Sequence, residues 1–229
     1  MKIGPPKDNL FLIGSCINTS QGIFTPYQRY NQTISTIESV KEYCPDNKII
    51  LCESSEGLSD KALEDLNSRV DIFMYLGSDP NCKELASRGL KSTADSYLVM
   101  KMLESLKTTV QGQKIRYSAN RIYKLSGRYV LTDKFEPHNS WGKYIFKRYK
   151  SWKNDGDIPY LYITRLFSFC PSLIDDLLNT MPSVINGSTS CVYDMEHLMF
   201  KYVNSKLVNL SETLGVKGYV APNGTVVND

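Results

Sequence analysis

Apolar residues fall in short blocks along the chain, and the spacing within a block changes from one block to the next. Residues 10–17, LFLIGSCI, form a continuous apolar run ending in Gly and Ser, the pattern of a strand buried on both faces and therefore central in a sheet. From Tyr30, the positions Tyr30, Ile34, Ile37, Val40 and Tyr43 recur at helical spacing until Pro45 stops them, which predicts an amphipathic helix. KIILCE at 48–53 predicts a second strand, SDKALEDLNSR a helix capped by Ser59, and DIFMYLG at 71–77 a third strand. A loop with Asp79-Pro80 and Gly89 then leads to a longer helix, capped by Ser92, whose Ala94, Leu98, Met102 and Leu106 share a face. RIYKLS at 121–126 predicts a fourth strand that runs directly into Gly127-Arg128-Tyr129.

Strands alternating with helices imply a parallel, right-handed βαβ sheet over the first ~130 residues. The pattern then changes. Residues 143–152 and 159–168 predict two strands of an antiparallel hairpin, separated by the turn-forming Asn154-Asp155-Gly156-Asp157. Two helices are expected to follow. One covers Ser172 to Met181, and the other runs from Asp194 to about Leu207 with Met195, Leu198, Met199, Tyr202 and Val203 inward. The last fifteen residues, GVKGYVAPNGTVVND, read as a mostly irregular tail.

The chain has 229 residues, 41% hydrophobic and 22% charged, a balance that supports one large globular domain and excludes a disordered chain. No apolar run approaches the ~18 residues of a membrane span, and MKIGPPKDN at the start carries no cleavable apolar stretch. The six cysteines, at 16, 44, 52, 82, 170 and 191, form no CxxC and suit reduced thiols. Together these features lead to the expectation of a cytoplasmic protein. A net charge of +3 is too small to attract nucleic acid by bulk electrostatics, so an anionic partner has to be met locally.

Several common chemistries lack their residues. No GxGxxG follows the first strand and no GxxxxGK[ST] occurs, so neither a dinucleotide nor a P-loop triphosphate finds a glycine cradle. Two histidines, His138 and His197, without HExxH or paired cysteines, leave zinc without its usual donors. There is no GxSxG elbow. An open parallel sheet binds its ligands beyond the carboxyl ends of its strands. Those ends are Ser15-Cys16-Ile17, Glu53-Ser54-Ser55, Gly77-Ser78-Asp79 and Ser126-Gly127-Arg128-Tyr129, which are small and polar with few charges.

In this order of parts, and in the strings YKLSGRY at 123–129 and YDMEH at 193–197, the chain resembles the nucleotide-diphospho-sugar transferase (GT-A) fold. It resembles in particular a group of bacterial and viral glycosyltransferases that carry a K-x-SGRY motif. The resemblance implies a single α/β, Rossmann-like domain over residues 1–229, its mostly parallel central sheet flanked by helices, with an antiparallel C-terminal part. About 1–130 would be the nucleotide-binding half and about 131–229 the acceptor-side half. It implies a nucleotide-sugar donor as substrate and a glycan or lipid-linked acceptor, as in polysaccharide biosynthesis. By it, Ser15 and Glu53 contact base and ribose, and Lys91 lies near the diphosphate. Lys124, Ser126, Gly127, Arg128 and Tyr129 then form the donor-binding motif, where the fold often carries an Asp-x-Asp metal site.

The sequence departs from that pattern, because no Asp-x-Asp stands at the fourth strand. A divalent ion there neutralises the departing diphosphate, but preorganised cations such as Arg128, Lys124 or Lys91 can do the same. Transfer is therefore expected to be metal-independent or weakly metal-dependent, and no metal ligand is assigned. Asp155-Gly156-Asp157 spells Asp-x-Asp but sits where such residues make a turn. Glu196 is the candidate general base for an inverting transfer, with Asp194 a second carboxylate that also suits a helix cap. His197 reads as a packed or surface histidine.

Residues 143–153, KYIFKRYKSWK, interleave basic and aromatic side chains. Such a strip can stack bases and track phosphates, which gives the alternative of a non-catalytic module for nucleic acid or an anionic glycan. It can also meet a membrane surface peripherally, or simply protect a sheet edge with charge while burying its aromatics. The last of these is favoured, and no nucleic-acid partner is expected. The missing Asp-x-Asp adds a further alternative, a catalytically inactive transferase-like protein.

Overall fold

The computed structural model describes residues 8–19, 21–138, 140, 142–151, 157–190, 192–220 and 223–229. The first half comprises β1 (Leu10–Ser15), α1 (Pro26–Tyr43), β2 (Lys48–Glu53), α2 (Asp60–Ser68), β3 (Ile72–Tyr75), α3 (Pro80–Ser87), α4 (Lys91–Thr108), α5 (Val110–Ser118), β4 (Ile122–Ser126) and β5 (Tyr129–Leu131). The second comprises β6 (Tyr144–Phe146), β7 (Arg148–Lys150), β8 (Tyr160–Tyr162), β9 (Leu166–Phe169), α6 (Ile174–Ser188), α7 (Met195–Tyr202), β10 (Val208–Leu210), β11 (Val216–Tyr219) and β12 (Val226–Asn228).

The main sheet has seven strands in the order β10-β6-β9-β4-β1-β2-β3. β1 pairs in parallel with β2 and β4, and β2 with β3, whereas β9 runs antiparallel to both β4 and β6. The expected α/β class, mostly parallel with antiparallel strands toward the C-terminus, is what the chain adopts. β1 is buried throughout because both sheet faces are covered. Leu10 and Leu12 point into a core shared with α4, α6 and α7, while Phe11 and Ile13 point into the opposite core with Ile37 and Val40 of α1.

Several boundaries differ from the sequence expectation. α1 begins at Pro26 rather than near Tyr30, because Thr25 caps it in a reciprocal box with Gln28 and Pro26 fits the first turn. Asp79-Pro80 lies not in a loop but at the start of α3, with Asp79 accepting from the Asn81 and Cys82 amides. Ser92 is not a cap. It lies within the first turn of α4, and its hydroxyl accepts from the Met195 amide 2.5 Å away. The helix α5 was not expected.

The predicted hairpin 143–168 is split between two sheets. β6 is wholly buried in the main sheet against β9, and the exposed β7 leaves it to pair with β8. α6 continues past Pro182, since Leu177, Met181 and Val184 are buried on both sides of it and this packing outweighs one lost backbone bond. α7 stops at Tyr202 rather than Leu207. The supposed irregular tail forms β11 and β12, which complete a three-stranded sheet with β5. Five cysteines, 16, 44, 52, 82 and 170, are free thiols, and Cys191 lies outside the described residues. Among the described residues no helix is long and apolar enough to cross a membrane.

Candidate functional site

At the carboxyl ends of β1 and β4 the sheet opens on a cavity of about 430 Å3. Its floor depends on glycine. The Gly127 amide donates to the Gly14 carbonyl at 2.8 Å, and a Cβ at Gly127 would stand 3.0 Å from that oxygen. The close approach ties the two strand ends together and turns the chain so that Arg128 lines the cavity. Ser15 lines it too, its hydroxyl bonded to Thr33 of α1 at 2.9 Å. Arg29, in the first turn of α1, is 4% exposed and donates to the carbonyls of Gln21 (2.6 Å) and Cys16 (3.5 Å). Lys91 opens α4, with Asp95 one turn later.

Three cations thus meet around this space, Arg29, Lys91 and Arg128, and among the described residues none of them has a carboxylate partner. Lys91 is pushed down to about 8, first by burial and then by Arg128 and Arg29. Burial, then Arg128, lowers Arg29 as well. Arg29 and Arg128 each keep a buried Nε without an acceptor among the protein atoms. The lining carboxylates are already engaged, Asp95 with Lys124 at 2.9 Å and Glu56 with Lys83 at 2.7 Å.

The sequence-predicted residues divide into two groups. Ser15, Lys91, Ser126, Gly127 and Arg128 line the cavity together. Lys124, expected as a donor-binding cation, is fully buried instead. Its ammonium gives its three hydrogens to Asp95 Oδ2 (2.9 Å), Ser126 Oγ (2.8 Å) and the Thr164 carbonyl (2.9 Å). Glu53, expected against base and ribose, lies beneath the lining with no exposed surface. It accepts from the Ile17 amide (3.2 Å), the Ser55 amide (2.7 Å) and the Ser55 hydroxyl, so it shapes the loops after β1 and β2, and burial raises its pKa. Tyr129 is buried in β5 with the Arg165 guanidinium 5.5 Å from its ring centre, and does not line the cavity.

Asp194 caps α7, accepting from the His197 amide, and pairs with His197 Nδ1. The His197 Nε2 bonds Ser151 Oγ at 3.0 Å, and the ring is fully buried. Asp194 is therefore committed to the helix start. Glu196 lies beside the cavity rather than in its lining. Its Oε1 accepts from Thr164 Oγ1 at 2.7 Å, its charge reaches Lys91, and burial followed by Asp194 raises its pKa. Arg29 and Asp95 are site residues that the periodicity argument did not single out. The Thr25-Pro26-Gln28 start signal, correctly placed, would have put Arg29 in a helix first turn at the rim of β1.

The basic strip is partly tied down. Lys147 pairs with Asp229 and Lys143 donates to the Lys206 carbonyl, both at 2.5 Å. The Arg148 guanidinium stands 4.8 Å from the Tyr160 ring centre. Asp155 and Gly156 of the expected turn, with Trp152 and Lys153 of the strip, lie outside the described residues. Among the described residues, no three His, Cys, Asp or Glu side chains gather to hold a metal ion.

No family model matches the chain, and a search of curated proteins finds no match. Solved structures do match. The galactosyltransferase LgtC, in complex with donor and acceptor sugar analogs, superimposes with TM-score 0.50 at 8% identity over 88% of this chain and 73% of its own. The bifunctional glycosyltransferase WbbM gives TM-score 0.50 at 10% identity, over 90% of this chain and 39% of its own. A glycosyltransferase involved in glycosylation of the major capsid of PBCV-1 gives 0.48 at 11% identity, over 89% and 81%.

Proposed function

On a chain with the GT-A fold, we propose a glycosyltransferase that moves a sugar from a nucleotide-sugar donor to a glycan or lipid-linked acceptor. One observation carries this reading: Arg29, Lys91 and Arg128 converge, without carboxylate partners among the described residues, on a cavity at the strand ends. When the glycosidic bond to the donor phosphate breaks, negative charge grows on the departing diphosphate, and cations fixed in advance stabilise that charge most where water is scarce. Base and ribose extend over Ser15, Asn18 and Ser54 in the same lining. The acceptor hydroxyl approaches from the α7 side, where Glu196 takes its proton as the new bond forms. The raised pKa of Glu196 makes it a better base than an exposed carboxylate. Lys124 and Thr164 are positioning residues, since they fix Asp95 in the lining and Glu196 beside it.

The test begins with calorimetry against UDP-, GDP-, CDP- and TDP-sugars, of which at least one is expected to bind. Arg128→Ala should weaken that binding by about tenfold or more, the usual scale for a charge-assisted contact. Glu196→Gln should keep the binding and lose turnover of the donor. Absence of binding by all four classes overturns the reading, and full turnover by Glu196→Gln removes the assigned base.

A further inference from the structure

We propose that this site holds the donor diphosphate through side-chain cations alone, with no divalent metal ion bridging protein and phosphates. The inference rests on the nucleotide-sugar reading and deepens it. A divalent ion needs free oxygen donors from the protein, generally carboxylates. The cavity lining supplies two carboxylates, and each is held by a lysine: Asp95 by Lys124 and Glu56 by Lys83. A dication on the other oxygen of Asp95 would have to share that carboxylate with the fully buried Lys124, whose one anionic partner among the described residues it is.

The remaining charge in the lining is positive. Arg29, Lys91 and Arg128 are unpaired among the described residues, three positive charges that more than offset the two negative charges of a diphosphate diester and repel a dication. Burial first, and then repulsion by Arg128, lowers both Lys91 and Arg29. The geometry has a second sign. Arg128 is half-buried in the lining, and Arg29 commits two of its five N–H groups to the Cys16 and Gln21 carbonyls, so each guanidinium retains donors for phosphate oxygens that enter the cavity. The end of β4 carries Ser126-Gly127-Arg128 and no carboxylate, with Arg128 in the lining itself.

The experiment measures binding to the full chain by calorimetry for UDP, GDP, CDP and TDP, first in EDTA and then with excess Mn2+ or Mg2+. The expected result is one nucleoside diphosphate whose affinity in EDTA is within about twofold of its affinity with metal. Lys91→Met and Arg128→Met should each lower the EDTA affinity about tenfold, as loss of a charge-assisted contact does. A tenfold or larger loss in EDTA that Mn2+ restores overturns the inference while the nucleotide reading stands. Binding by none of the four in either condition overturns that reading and this inference with it. The wild-type comparison needs no variant, so a misfolded mutant cannot obscure the outcome.

Discussion

Lys124 has three ammonium hydrogens and, in a strand whose every residue is buried, three acceptors for them. Lys124→Met leaves the Asp95 carboxylate and the Thr164 carbonyl without their donor. It should cost roughly 3 kcal/mol, the scale of a broken buried pair, read as a lower urea midpoint at unchanged slope. Lys124→Arg should not restore it, because a planar guanidinium cannot aim at three diverging oxygens. The sequence marks this lysine as part of a polar string at a strand end but does not fix which sheet face it occupies. Its ammonium lies outside the cavity lining, which Arg29 joins instead. His138 offers a pH test of the same kind. Burial, then Arg121, pushes its imidazole down to about 4, against an ordinary 6.5. The unfolded chain therefore takes up a proton that the folded one refuses between those values, so this contribution is intact above about 6.5 and is lost as pH falls toward 4. Stability measured across that window should fall less steeply in His138→Gln than in wild type. The raised carboxylates Glu53 and Glu196 slope the opposite way and cancel in the difference.

Elements were legible where one pattern ran unbroken, and were lost where partners changed within a run. β1, β2 and β4 each carry an apolar run, are buried along almost their whole length and lie where the sequence puts them. The 143–152 stretch keeps one mixed composition while its backbone leaves the main sheet at Lys147, a change that only tertiary pairing decides. β11 escaped notice for a related reason. Its four residues, VKGY, carry a glycine and are held by β5 and β12 rather than by propensity. The strand starts from Gly215, at φ +64 and so close to Phe135 that a Cβ would come within 2.3 Å of its Cα. Gly215→Ala therefore combines an unfavourable dihedral with a backbone clash that no rotamer relieves. It should lower the melting temperature well beyond the few degrees of an ordinary surface change, whereas Gly142→Ala, at a similar φ but with nothing within 4 Å, should shift it far less. Equal shifts for the two would locate the effect in the dihedral alone.

At the scale of the molecule, the expected division at about residue 130 into a nucleotide-binding half and an acceptor-side half does not coincide with a boundary between folding units. β9 enters from the second half and pairs with β4 of the first, and β5 finds its partner in β11, so the seven-stranded and the three-stranded sheets each cross the division. Both cores do so as well. Leu10, Leu12 and Met102 pack in one cluster with Phe167, Leu177 and Leu198, and Phe11, Ile13 and Ile37 share the other with Leu161, Leu166 and Val216. A fragment of residues 1–131 would expose the β4 edge and one flank of each core, and would lose the Thr164 carbonyl that holds Lys124. Burial lost on that scale exceeds the margin by which a domain is stable. Residues 1–131 expressed alone should therefore show no cooperative thermal transition by circular dichroism and bind no nucleoside diphosphate. A cooperative transition in the fragment would mean that the βαβ half folds independently, and that the C-terminal strands dock on a sheet already formed.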